Sequence, residues 1–158
     1  MTDLFFARAL HVLGVVIWIG GVSMATLVVL PAVRRGEFGP DKLAAFHAVE
    51  RRFVWIARTA VLLVGVTGYY MTEKLELWSR FLDAAYWWMH AMVIVWLLFF
   101  LLLFIGEPFI LHRYFPGFAR RNPERAFFLL HWFHILLLSL SFITILGAVA
   151  GAHGWIIF

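Results

Sequence analysis

Four long apolar stretches, the second broken only by Arg58 near its start, constrain this chain more than any other feature. They cover roughly residues 4–30, 53–71, 84–111 and 126–150. A hydrocarbon layer of about 30 Å takes about 20 helical residues to cross, and each stretch is close to or above that length. The stretches are continuous, whereas a membrane barrel requires apolar and polar residues to alternate. Lipid offers the backbone no hydrogen-bond partner, so each stretch must pair its own amides as a helix. The expected fold is therefore all-α: an integral membrane four-helix bundle forming one domain over residues 1–158. Composition agrees, because 64% of the residues are hydrophobic and 14% charged. A soluble domain of this length would expose much of that apolar surface to water. The first apolar run extends from Ala9 to Val33, beyond the roughly 7–15 residues of a signal-peptide core, and reads as a retained helix.

The connecting segments predict the orientation. Four spans put both termini on one side, here called side A, together with the 72–83 loop. Side A carries Arg8, Lys74 and Arg80. The opposite side B, with the 31–52 and 112–125 segments and the adjoining helix ends, carries the other ten of the 13 basic residues: Arg34, Arg35, Lys42, Arg51, Arg52, Arg58, Arg113, Arg120, Arg121 and Arg125. An excess of Lys and Arg marks the cytoplasmic face. Both termini are thus expected to be periplasmic in a bacterial inner membrane. Trp78, Trp87, Trp88 and Trp155 fall near side A, where an aromatic belt is expected. The net charge of +4 is explained by these loops and implies no nucleic-acid partner. The chain has no cysteine, which excludes thiolate catalysis and thiolate metal sites.

Histidines inside spans are costly unless they have a partner or a task. His11 and His90 enter from side A on the first and third helices, at depths of about 10 and 9 Å. Two neutral imidazoles at one height can hold a haem iron from opposite faces. Gly14, Gly65 and Gly68, together with Gly20, Gly21, Gly147 and Gly151, offer side-chain-free walls for a macrocycle. Arg8, one helical turn from His11, offers a propionate partner. The alternative is structural. Membrane glycines allow close helix packing, and Gly147-x-x-x-Gly151 fits such a contact.

A second polar cluster lies toward side B. His131 and His134 share a helix face, as do His47 and Glu50. Glu107 sits beside Pro108, which is expected to kink the third helix, and His112 follows at its end. Three readings stand: a second haem using His47 or His112 against His131 or His134, a mixed nitrogen and oxygen metal site from Glu107 with His131 and His134, or a structural and proton-relay cluster in which Glu107 and Glu50 pair with Arg58, Arg51 or Arg52. Met89 and Met92 around His90 form a weak soft-ligand patch for copper. No nucleophile elbow, phosphate loop or zinc-protease motif is present.

The first span reads Leu10-His11-Val12-Leu13-Gly14-Val15-Val16-Ile17-Trp18-Ile19-Gly20-Gly21 and runs on to Leu30-Pro31. This pattern resembles the opening helix of the CopD-like and HemJ-like bacterial membrane proteins. The resemblance is strongest over residues 8–31. It implies copper handling on one side, and haem binding with protoporphyrinogen oxidation on the other. It also implies a haem-ligand role for His11. The residues and the resemblance together give the expectation of a cytochrome b-like protein: one haem b on His11 and His90, with the side B histidines available to a second. Electron transfer with quinone or a periplasmic redox partner would follow, with a homodimer as a further expected partner arrangement. Copper transport or a tetrapyrrole oxidoreductase is the alternative.

Overall fold

The computed structural model describes residues 2–155. Four helices are long and apolar enough to span a membrane: α1 (Thr2–Arg35), α2 (Lys42–Lys74), α3 (Ala84–Arg121) and α4 (Pro123–Ala152). No strand occurs among the described residues. Each helix packs on the next in sequence, and α4 closes the ring against α1. The α1–α2 seam is the most extensive.

All four helices outrun the apolar stretches that announce them. Pro31 does not stop α1. It lies at the start of the segment Leu30–Arg35, and α1 ends only at Gly36, whose φ of 75° suits a residue without a Cβ. Asp41 accepts from the Ala44 amide and caps α2, so His47 and Glu50 are helical. The segment 112–121, expected as loop, continues α3. Its termination falls at Asn122-Pro123, where Pro123 opens α4. The 72–83 connection holds a short 3-10 helix, Leu77–Leu82.

Two helices change register near side B. Residues Ala25–Val29 of α1 and Leu102–Leu111 of α3 are π-helical. Each segment ends in or contains the reach of a proline. In an i→i+5 ladder Pro31 would pair with the Thr26 carbonyl and Pro108 with the Leu103 carbonyl. Neither proline has an N–H, so both carbonyls need donors from elsewhere.

The core is thin, and lipid-facing positions stay apolar. Val66 is 68% exposed and Leu146 70%, which water would penalise and lipid does not. Inside, Trp18, Val61, Val95, Phe99 and Leu137 meet at mid-bundle, with the Trp18 and Phe99 rings edge to face at 4.9 Å. A second cluster, including Leu30, Val33, Phe46 and Phe127, seals side B. Buried hydroxyls bond back along their own helices, as Ser141 does to the Leu137 carbonyl at 2.8 Å.

Candidate functional site

The side A glycines are filled. Trp87 lies against Gly147 and Trp88 against Gly151, where an added Cβ would fall 2.4 and 2.0 Å from the indoles. Trp96 covers Gly65 and donates its Nε1–H to the Val61 carbonyl at 2.9 Å. Val64 fills the groove at Gly14, and the His11 ring rests on Gly68. These glycines act as sockets for ring and branched side chains across helix seams.

His11 turns to α2. Its Nδ1 is 3.0 Å from the Thr67 hydroxyl. That hydroxyl donates its one proton to the Leu63 carbonyl at 2.6 Å. Thr67 must therefore accept from His11 Nδ1–H, which leaves the lone pair on Nε2. An imidazole fixed in this way is suited to ligate through Nε2. His90, by contrast, is exposed, with its ring 5.3 Å from that of Phe81 in the side A loop. Arg8 is exposed as well. His11 and His90 thus face different neighbours, and indoles occupy the walls a macrocycle would use. The side A residues in this arrangement do not fit a bis-histidine haem. Met89 is buried beside exposed His90, so the copper patch is not assembled either.

Side B is where polar groups converge. Arg58 donates from Nε and Nη2 to the Leu103 carbonyl at 3.0 and 2.9 Å, and from Nη2 to Glu107 at 2.6 Å. The carbonyl orphaned by Pro108 is thereby satisfied by a guanidinium from another helix. The rings of Trp55 and Phe104 cover that guanidinium. The second π segment repeats the device. His131 bonds to the Thr26 backbone, and its Nδ1 accepts from Arg34 at 2.8 Å. Glu107 also holds His112 at 3.0 Å, and Glu50 holds His47 at 3.0 Å. The His47 and His112 rings lie 5.9 Å apart. No group of three or more His, Asp or Glu able to hold a metal ion occurs among the described residues. His131 is engaged by Arg34 and Thr26, and His134 stands apart from the His47–His112 pair, so the second-haem and mixed-metal sets are not gathered around one point.

Between these groups lies a cavity of about 370 Å3, walled by all four helices. Both π segments contribute to it, through Ala25 and Val29 on α1 and through Leu102, Gly106 and Glu107 on α3. Its lining is almost wholly apolar, with Glu50, Glu107 and His134 as the titratable exceptions. His134 donates Nδ1–H to the Leu130 carbonyl at 2.9 Å, so its Nε2 carries a free lone pair. Trp18 also lines the cavity and is 4% exposed, and its Nε1–H has no hydrogen-bond partner among the described residues. A buried indole N–H without an acceptor is rare and costs about 1–3 kcal/mol unless something accepts it.

Sequence reasoning placed Glu107, His134 and His47 near this site. It missed Trp18, which was read only as part of a family-like motif; the pairing of Glu107 with Arg58 was expected and is formed, but the reach of Arg58 to the Leu103 carbonyl was not foreseen. A scan against protein-family models and searches of curated proteins and solved structures gave no match to this chain.

Proposed function

We propose that this multi-pass membrane protein binds a lipid-soluble molecule with an oxygen acceptor, of the quinone class, in the side B cavity. The observation that carries this reading is the buried Trp18 N–H without an acceptor among the described residues, on a side chain that lines an apolar chamber walled by all four helices. A carbonyl oxygen on a flat apolar ring would satisfy it once the indole turns its edge toward the chamber. His134 Nε2 and the carboxyls of Glu50 and Glu107 would meet a second oxygen, as donor or acceptor according to protonation. Ligand sites of this type are mostly apolar with a few placed polar groups, and π segments recur at functional sites. The expected setting is a bacterial inner membrane with side B cytoplasmic, and the expected role is in electron transfer with the quinone pool.

Equilibrium binding of a decyl-substituted benzoquinone to the protein in lipid nanodiscs tests this. One saturable site per chain is expected, weakened about fivefold to tenfold by Trp18→Phe, the worth of one hydrogen bond. Ala57→Trp, which fills the cavity from α2, should abolish it. Absence of saturable binding to the wild type would refute the reading.

A second reading, which the indole-filled glycine walls count against, keeps a haem on His11 without His90. The fixed tautomer of His11 and the resemblance of Leu10–Gly21 to the CopD-like and HemJ-like proteins favour it. A haem bound there would supply one-electron chemistry. The part played by the chain is to hold His11 Nδ1–H on Thr67 so that Nε2 faces outward from that bond. A reduced-minus-oxidised visible spectrum with a haemochrome count decides. One haem lost in His11→Ala supports this reading, while a colourless protein from haem-replete cells removes it. Stoichiometric copper without a Soret band would favour the copper alternative.

A further inference from the structure

We infer that Glu50 and His47 form a proton-exchange route between the side B cavity and the water at the basic face. The inference deepens the proposed ligand site by assigning it a proton donor and acceptor. Glu50 lines the cavity wall and its side chain is only 11% exposed. Its carboxyl oxygen Oε2 is 3.0 Å from His47 Nδ1, and the His47 side chain is 33% exposed. One residue thus faces the chamber and its partner reaches the rim.

The surrounding charges distinguish Glu50 from the other carboxyl. Glu107, on α3, is held by Arg58 at 2.6 Å and by His112 at 3.0 Å, so its carboxyl is engaged from two sides. Among the described residues no arginine forms an ion pair with Glu50. Its field comes from His47 on its own helix, and from His112 and Glu107 on α3. From α4 the cavity receives His134, and from α1 no titratable residue. Glu50 thus meets the His47 imidazole on one side and the apolar lining of the chamber on the other. A carboxyl placed in this way can pass a proton between the chamber and the imidazole. In the exchange the Glu50 O–H bond breaks as the His47 Nδ1–H bond forms. The imidazolium then releases its Nε2 proton to water at the rim. Uptake runs the same steps in reverse.

The test needs no ligand. Infrared spectra of the full chain in lipid nanodiscs follow the protonated-carboxyl C=O stretch during pH titration and transfer to deuterated water. A reversible carboxyl band is expected, lost in Glu50→Gln and kept in Glu107→Gln. In both His47→Phe and His47→Gln the band should persist while its deuterium exchange slows about a hundredfold, the low end for a positioned proton-transfer group. A spectrum without a Glu50 band, or wild-type exchange in either His47 variant, overturns the route. Circular dichroism of each variant confirms helix content. Failure of benzoquinone binding would leave these spectra unaffected, so the two readings fail separately.

Discussion

Gly20 and Gly151 show how one residue type serves opposite ends. Nothing lies within 4 Å of a Cβ added at Gly20, while at Gly151 it would fall 2.0 Å from Trp88 Nε1. Trp88 is 8% exposed and has little room to retreat. Gly151→Ala should destabilise the purified protein by about 1–3 kcal/mol through overpacking. Gly20→Ala should be neutral or stabilise it by up to about 1 kcal/mol, because alanine suits a helix interior better. Thermal unfolding in detergent ranks the two, and equal midpoints would refute the socket description. At this scale the sequence was ambiguous for a physical reason. A glycine marks where something approaches closely, but the approaching group sits on another helix. Macrocycle and tryptophan leave the same mark in the sequence. The Trp18 N–H was hidden in the same way, since only the assembled bundle shows that no carbonyl reaches it.

At the scale of the element, α1 and α3 share a device built on proline. Pro31 and Pro108 were legible as interruptions, and a stop or kink was the natural expectation. The structure instead continues each helix through a π segment, because donors from elsewhere satisfy the carbonyls the prolines leave bare. Arg58 does this for Leu103 with two N–H groups while also binding Glu107. Lysine lacks that planar fork, so Arg58→Lys should recover little. Arg58→Ala should cost about 3–5 kcal/mol, the usual result of stripping one partner from a buried pair. Restoring the missing amide should soften that loss. In the Pro108→Ala background, the effect of Arg58→Ala should shrink by about 1 kcal/mol, one hydrogen bond. A double-mutant cycle by reversible unfolding measures the coupling. Simple additivity within about 0.5 kcal/mol would show that proline and arginine act independently.

For the whole molecule, number and length of the spans were legible because lipid imposes both. The rotation of each helix about its axis was not. These helices are apolar on every side, so no polar face announced the interior, and matched depth of His11 and His90 could not reveal that His90 faces outward. What lipid does leave visible is the asymmetry of charge between the two ends. Ten basic residues against three predict side B in the cytoplasm, each contributing about 1 kcal/mol near an anionic surface. The absence of cysteine makes this directly testable. Ser79→Cys places a thiol in the exposed side A loop, and Gly117→Cys places one on exposed α3 at side B, with nothing within 4 Å of its Cβ. A membrane-impermeant maleimide should label Ser79→Cys in intact spheroplasts and Gly117→Cys only after permeabilisation. The reverse pattern would invert the molecule. It would also move the His47 end of the proton route to the periplasmic side, so that protons exchanged with the cavity would equilibrate with the outer rather than the inner aqueous phase.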